Sequence, residues 1–441
     1  MFARQMKMLT LVGLLVLGVT LPAAGQDKKA TAPAKSEPKA KRVEFGVEMR
    51  WRNEFRDNLD FKPADDFDGY TGQRIRIHMR AKLTPNLIFF VQGQDVWIFD
   101  QRNDKTIHDL ATNLYQAYFD WKPKGSKRWE LRAGRQEWIY GEERVLGAFG
   151  WDTVGRAFDA ARVRYKSGAW SSDFFWGRVT NVRRAGAKAR AGEQDLSGGY
   201  ITRAPKDSPG KTEIYGLFLR DGLRTKGEIA SNPFETVRIF TAGFRRVWQP
   251  KTGWRYSFEH AWQFGKRGPD AHAAAMVVAT GGYMWGAKKW KPRVQAEYDF
   301  ASGDGNPTDG KSHEFNNLFP TNHPFYGYAD LVGLRNLHDL RFTAAATPHP
   351  KLTLEADYHH FWLATERGPW KNAGGRVMGF DPTGASGRNL GDEVDFTARV
   401  PVHKHLQLLG GFSVFVPGRF AERTRGSETH KWGYIQTLVR F

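Results

Sequence analysis

The chain of 441 residues contains no cysteine, so no disulfide holds it together. It also lacks a long apolar run beyond its N-terminus, since 40% of its residues are hydrophobic and its mean hydropathy is −0.57. These values exclude a helical membrane protein but not a transmembrane β-barrel, whose strands are apolar on one side only. Several catalytic motifs are missing as well: the sequence has no Gly-x-Ser-x-Gly elbow, no His-Glu-x-x-His and no phosphate loop.

The N-terminus has the three regions of a secretory signal peptide. Arg4 and Lys7 form a basic start, an apolar stretch runs from Leu9 to Leu21, and small residues follow at 23–25. We predict that 1–25 is a signal peptide, that 26–42 is a disordered basic tether, and that 43–441 is the folded domain. An exported domain without disulfides must be stabilised by its own sheet, a large core or a membrane.

Acidic residues are scarce, because 66 Lys and Arg face 47 Asp and Glu, for a net charge of +19. A basic chain commonly binds nucleic acid. An exported chain fits that function poorly, and its cations are spread over many strand-like segments instead of one helix or loop. We therefore expect no nucleic-acid partner and favour an anionic small molecule or polysaccharide.

About eighteen strand-like segments follow residue 43, and short and long connections alternate between them. Short turns such as "PKTG" (250–253) alternate with long loops, with 266–270 the one brief exception. The long loops are at 99–111, 139–157, 180–193, 221–234, 302–335 and 364–390. Outer-membrane barrels show this alternation, with short periplasmic turns and long extracellular loops. The last segment, "HKWGYIQTLVRF", ends in Phe441, as the closing strand and assembly signal of such barrels does.

Polar and apolar residues alternate within the segments, as in "RIRIHMRAKL" (74–83). Side chains of a strand point to opposite faces in turn. If the apolar face meets lipid, the charged face lines the barrel interior, which sixteen to eighteen strands make wide enough for water. We predict that the arginines on this face line the substrate path: Arg50, Arg52, Arg74, Arg76, Arg80, Arg132, Arg162, Arg164, Arg341 and Arg399.

Two long segments and one short one resemble the alginate-export family of outer-membrane barrels. They are "LRAGRQEWIYGEERVLGAFGWDTVGRAFDAARVRY" (131–165), "YDFASGDGNPTDGKSHEFNNLFPTNHPFYGYADLVGLRNLHDL" (298–340) and "GGFSVFVPG" (410–418). The resemblance implies an eighteen-stranded barrel that moves an anionic uronate polysaccharide, or a related anion, through an arginine-rich constriction. The residues that match the family motifs are Arg135, Gln136, Tyr140, Gly141, Arg144 and Gly147 in the first segment, with Asn336 and Leu337 in the second.

Two stretches of the sequence give only a weak indication of a metal site. "SGDGNPTDG" places Asp304, Asn306 and Asp309 in a glycine-rich loop, a spacing that Ca²⁺ can use but that turn chemistry explains equally well. His403 and His405 stand two apart at a turn, as a metal pair or a surface pair would. We predict no metal and no cofactor.

The leading hypothesis is therefore a porin-like outer-membrane channel for anionic saccharides or organic anions, without catalysis. Its partners would be that anion, the lipid bilayer and the outer-membrane assembly machinery; the oligomeric state stays open. The periplasmic turns are too short to form a plug, so a constriction must come from lumen side chains or from loops folded inward, with 302–335 the best candidate. Two alternatives remain: an outer-membrane enzyme such as a lipid hydrolase, and a secreted polysaccharide-binding β-protein.

Overall fold

The computed structural model describes residues 42–63, 67–99, 112–180, 194–229, 232–286 and 289–441. The predicted signal peptide and all but the last residue of the predicted tether lie outside these ranges, so both stay predictions. Most of the loops predicted at 99–111 and 180–193 also lie outside the described residues.

Eighteen long strands form the wall of a closed antiparallel barrel, which confirms the predicted fold class. The first nine are β1 (Val43–Asp57), β2 (Asp68–Thr84), β3 (Leu87–Phe99), β4 (Asn113–Trp121), β5 (Trp129–Gln136), β6 (Ala157–Ser167), β7 (Trp170–Thr180), β8 (Gln194–Arg203) and β9 (Gly210–Thr225). The second nine are β10 (Glu235–Trp248), β11 (Gly253–Arg267), β12 (Asp270–Met284), β13 (Arg293–Ala301), β14 (Leu337–His349), β15 (Leu352–Trp362), β16 (Asn389–His403), β17 (Leu406–Pro417) and β18 (His430–Arg440).

Each strand pairs with its neighbours in the chain, and the ends of the series close on each other. β1 pairs with β2 on one side and with β18 on the other, where Met49 stands opposite Val439. The closing role predicted for the last segment is therefore confirmed. Because the ring is closed, none of the eighteen wall strands, as far as the described residues go, is an edge strand of the sheet.

The two faces of each strand differ as the period of two predicts. In β1, Phe45 on the outer face is 72% exposed, whereas Arg50 and Arg52 on the inner face are 3% and 4% exposed. The exposed outer aromatics recur around the barrel, as at Trp176, Phe264 and Phe342. So large a contiguous apolar surface is unfavourable in water, so this outer face must contact lipid.

The long loops at one end of the barrel fold into its lumen and build an apolar core there. Leu146, Phe319, Tyr326 and Trp370 from three different loops are all buried in one cluster. Short elements stiffen these loops: a strand at Lys311–Ser312 that pairs with β12, a hairpin of Trp370–Lys371 with Val377–Gly379, and the helix α1 (Arg419–Thr424). Within the described residues, no helix has the length and apolar character needed to cross a membrane.

Candidate substrate pathway

Four of the predicted lumen arginines hold a loop instead of facing open space. Arg50 and Arg52 on β1 and Arg74 and Arg76 on β2 lie side by side on the inner wall, and all four are buried. Their guanidinium groups donate to the main chain of the 137–156 loop. The carbonyls that accept these bonds, at 2.7–3.3 Å, are those of Gly150, Trp151, Asp152 and Val154.

This contact fixes one side of the 137–156 loop to the basic wall. A carbonyl carries only a partial negative charge, but the loop also places the carboxylate of Glu137 3.6 Å from Arg76. Two carboxylates of β1 supply full counter-charges: Glu48 lies 2.8 Å from Arg74, and Glu54 lies 2.7 Å from Arg52. The four arginines therefore hold the loop backbone by donating hydrogen bonds to it, and Glu48 and Glu54 keep the guanidinium groups in position.

The other side of the same loop is fixed by Arg144, which is 1% exposed. Its guanidinium donates to Glu297 at 2.8 Å and to Asp299 at 3.0 Å, both on the inner face of β13. Tyr326 accepts a further bond at 3.0 Å, and the ring of Phe325 lies 4.0 Å below the guanidinium. The 137–156 loop therefore bridges the lumen from β1 and β2 to β13.

The 302–336 loop joins this bridge. Gly147 donates its N–H to the carbonyl of Phe319 at 2.8 Å, and Phe319 donates to Val145 at 3.0 Å, in a short parallel pairing. A side chain on Gly147 would meet Glu143 and Thr321, so only glycine allows this approach. The predicted constriction at 302–335 thus lies inside the lumen, and the 137–156 loop, which the sequence did not single out for this role, shares it.

Most of the remaining predicted lumen arginines lie in the middle of their strands or closer to the short turns, whereas Arg341 lies near the loop end of β14 and donates to the carbonyl of Pro324 at 3.1 Å. Arg132 binds both oxygens of Asp120 at 2.6 and 2.9 Å, and Arg164 binds Asp173 in the same two-pronged way. The other four differ in exposure and partners. Arg162 is paired with Glu130 at 2.8 Å, Arg341 is paired with Asp357 at 2.8 Å, and Arg80 and Arg399 are exposed.

Most of the family-motif residues stabilise the two loops that lie inside the lumen. Tyr140 donates to Asp173 at 2.8 Å, and Gln136 donates to the carbonyls of Gly134 and Ala160 at 3.1 Å. Gly141 has a φ of 62°, in the left-handed region. Asn336 (φ 47°) ties the 302–336 loop to Thr365, and the next residue, Leu337, is buried.

Arg135 is the exception among the motif residues, because it faces outward. It binds both oxygens of Asp159 at 2.8 and 3.0 Å on the outer face of β5 and β6, near their loop ends. It therefore has no contact with the lumen.

One buried cation of the lumen was missed from the sequence. Arg245 on β10 contacts Glu213 at 2.6 Å, Glu259 at 3.5 Å and Glu142 of the 137–156 loop. The inner face of β10 is otherwise uncharged (Val237, Ile239, Thr241 and Gly243), so a single arginine in it gave no repeating signal.

Charge is distributed unequally around the lumen. Basic side chains dominate the inner faces of β2 and β6, the inner face of β1 carries equal numbers of arginine and glutamate, and the inner faces of β13–β16 carry mostly carboxylates. Six of these carboxylates are buried, and the loops cover them: Ala329 donates its N–H to Glu393 at 2.9 Å and Tyr328 donates to Asp395 at 3.3 Å. The buried set is Glu297, Asp299, Asp339, Asp357, Glu393 and Asp395.

The glycine-rich stretch of the 302–336 loop uses its acidic groups within the loop system. Asp304 accepts the N–H groups of Asn306 and His313, and Asp309 accepts that of Lys311. Glu228 of the 226–234 loop accepts the N–H of Gly310 at 3.2 Å. Partial burial, a hydrogen bond that protonated Glu228 donates to the Asp304 carboxylate, and the negative charge of Asp304 raise the pKa of Glu228 to about 7.

With this geometry established, comparison with known proteins identifies the family. The profile of the family described as alginate export matches residues 41–434. The chain belongs to the alginate export family. The resemblance of the two long motifs is therefore confirmed, and the barrel is placed in the bacterial outer membrane. No curated protein matches this family member by sequence.

Solved structures with the same fold are outer-membrane proteins of low identity. OccK2 (OpdF) of Pseudomonas aeruginosa, solved in complex with glucuronate, has a TM-score of 0.60 at 11% identity over 90% of this chain and 98% of its own. OccK11 (OpdR) of the same organism has a TM-score of 0.57 at 14% identity, over 90% of this chain and 96% of its own. OccAB4 of Acinetobacter baumannii scores 0.58 at 11% identity, over 92% of this chain and 100% of its own. At these identities the likeness establishes the fold alone.

Proposed function

We propose that this member of the alginate export family is a porin-like channel that conducts anionic saccharides or related organic anions across the outer membrane. The observation that carries the proposal is the difference in exposure between lumen cations and lumen carboxylates. Six carboxylates of β13–β16 are buried beneath the loops and one, Glu355, is 24% exposed beside Arg293, whereas cations on the turn half of the inner wall remain accessible.

The accessible charges on this wall are mostly basic. Exposed cations include Arg80, Lys82, Lys166 and Arg399, and the exposed carboxylate near them is Glu44, which lies 3.9 Å from Arg80. A passing anion would therefore meet positive potential before it met the constriction. Guanidinium groups bind carboxylates in two-pronged fashion, and neighbouring carboxylates keep that binding weak enough for release.

The four arginines that hold the 137–156 loop have a supporting part in this proposal. Arg50, Arg52, Arg74 and Arg76 hold the 137–156 loop, so they set the width of the constriction and contribute to its potential through the loop. Direct substrate contact falls to Arg80, Arg132, Arg164 and Arg399, whose side chains retain exposure.

A planar-bilayer measurement tests the proposal. Under a salt gradient the purified barrel should show an anion-selective reversal potential, and the preference should fall as salt rises, since the Debye length is ~10 Å at 0.1 M. Glucuronate oligomers should block the current, whereas neutral glucose oligomers of equal length should block it less. The variant Lys166→Gln, Arg399→Gln should lose part of the selectivity with unchanged folding.

Two outcomes would remove the proposal. One is cation preference at low salt, which would contradict the exposure argument. The other is the absence of channels from a correctly folded protein that releases fatty acid from phospholipid vesicles, which would favour the outer-membrane enzyme.

A further inference from the structure

A row of charged side chains crosses the outer face of seven consecutive strands, on the surface turned away from the lumen. The strand register places its members directly opposite one another from β5 to β11. We name this row the outer basic ribbon: Arg135, Asp159, Arg178, Asp195, Arg220, Arg238 and Lys266.

The ribbon marks the upper edge of the apolar belt. Two positions nearer the short turns, the same outer face carries Trp176, Phe218, Phe240 and Phe264, of which three are among the exposed large hydrophobic residues. All seven ribbon residues lie within about five positions of the loop ends of their strands. In an outer-membrane barrel this level is where the acyl chains of the outer leaflet give way to its headgroups.

The charges within the ribbon do not balance. Arg135 is paired with Asp159, and Arg178 binds both oxygens of Asp195 at 2.6 and 3.0 Å. Arg220 reaches an oxygen of the same Asp195 at 3.4 Å. Five cations thus share two carboxylates within the row.

The excess is concentrated in three adjacent cations. Arg220 stands opposite Arg238, and Arg238 stands opposite Lys266. Like charges in directly opposed positions destabilise a strand pair. The side chains of Arg220 and Arg238 are 52% and 53% exposed, and Glu235, 4.0 Å from Arg238, is the acidic group that approaches it. Such a row is stable when an external anion lies across it.

The ribbon is confined to one side of the barrel. At its two ends the row meets uncharged neighbours: Arg135 stands opposite Ala117 on β4, and Lys266 stands opposite Ala271 on β12. A general preference for cations at the membrane surface would not stop at β11. The restriction instead indicates a site for a particular kind of anion.

We propose that the outer basic ribbon binds the phosphate groups of a phosphorylated glycolipid in the outer leaflet. Arginine forks match phosphate oxygens two at a time, and the ladder spacing of ~4.8 Å between strands lets neighbouring arginines share one phosphate. The acyl chains would lie on the aromatic side chains below. This site is separate from the lumen, so it does not depend on the channel proposal.

The test compares two double variants of the full-length barrel in detergent, by native mass spectrometry. Arg220→Gln, Arg238→Gln removes two ribbon cations, and the matched control Arg203→Gln, Arg246→Gln removes two outward cations from β8 and β10 at their turn ends. The probe is a hexa-acylated glucosamine disaccharide bisphosphate, with its dephosphorylated form as the second probe. We expect the ribbon variant to bind the bisphosphate at least about tenfold more weakly than the wild type, and the control to bind it normally.

A folding assay and a charge-retaining variant make each outcome decisive. Heat-modifiable gel migration reports whether each variant is folded, and Arg220→Lys, Arg238→Lys should retain most of the binding because it retains the charge. Equal binding of the two probes by the wild type, or equal loss in ribbon variant and control, would overturn the proposal. A change in oligomer mass in the ribbon variant alone would overturn it as well, since the ribbon would then be a protein interface.

Discussion

At the scale of single residues, position along one strand face decides what an arginine does. Arg74 and Arg80 lie on the same inner face of β2, and the sequence assigned them the same role. Arg74 is buried and donates to the carbonyls of residues 150 and 152, whereas Arg80 is half exposed. The difference comes from loop residues 76 and 78 positions further along the chain, so the period of two could predict the face but not the partner.

The two arginines should therefore respond differently to the same substitution. Arg74→Gln leaves Glu48 and two loop carbonyls short of donors, and we expect the free energy of unfolding to fall by about 1–3 kcal/mol. Arg80→Gln should leave stability unchanged and lower the anion preference, because its charge is accessible. Urea unfolding in detergent, followed by tryptophan fluorescence, and reversal potentials measure the two effects. Equal destabilisation by both variants would contradict the assignment.

At the scale of elements, the strands were predictable and the loop contacts were not. All eighteen predicted segments correspond to strands, with ends that differ by a few residues, because each strand shows its own alternation over about ten positions. The helix α1 and the short hairpin in the 363–388 loop gave no such pattern. The pairing of Gly147 with Phe319 could not be predicted from the sequence either, although both segments that carry these residues resemble the family motifs.

Substitution of Arg144 tests whether the 137–156 loop narrows the channel. Replacing it with Gln leaves Glu297 and Asp299 buried without their guanidinium partner, a change that costs about 3–5 kcal/mol in buried pairs. Because the strands hold the barrel closed independently, we expect the loop to detach from β13 while the wall stays folded. Single-channel conductance should rise. Arg162→Gln is the control, since its partner Glu130 retains exposure and lies away from the loop. Unchanged conductance in folded Arg144→Gln channels would move the constriction elsewhere.

At the scale of the whole molecule, closure explains how a chain without cysteine is held together. Each of the eighteen wall strands pairs on both sides, including β1 with β18, so the ring itself supplies the hydrogen bonds that hold a disulfide-free exported domain together. The loops then fill one end of the lumen, where their apolar side chains pack into a core like that of a globular protein. The alternation of polar and apolar residues could predict the barrel, since it assigns the two faces of each strand. It could not predict how the lumen is filled, because the buried charged residues there pair with partners from distant parts of the chain.

The orientation of the ring decides both the channel proposal and the glycolipid site, and the lack of native cysteine makes it directly measurable. Thr308 in the 302–336 loop and Thr252 in the turn between β10 and β11 are both exposed. In intact cells, a membrane-impermeant maleimide should label the single variant Thr308→Cys, because long loops face outward, and should label Thr252→Cys only after the outer membrane is opened. The reverse pattern would place the outer basic ribbon at the inner leaflet. The accessible lumen cations would then face the cell surface instead of the periplasm, and the proposed glycolipid of the outer leaflet would not fit the molecule.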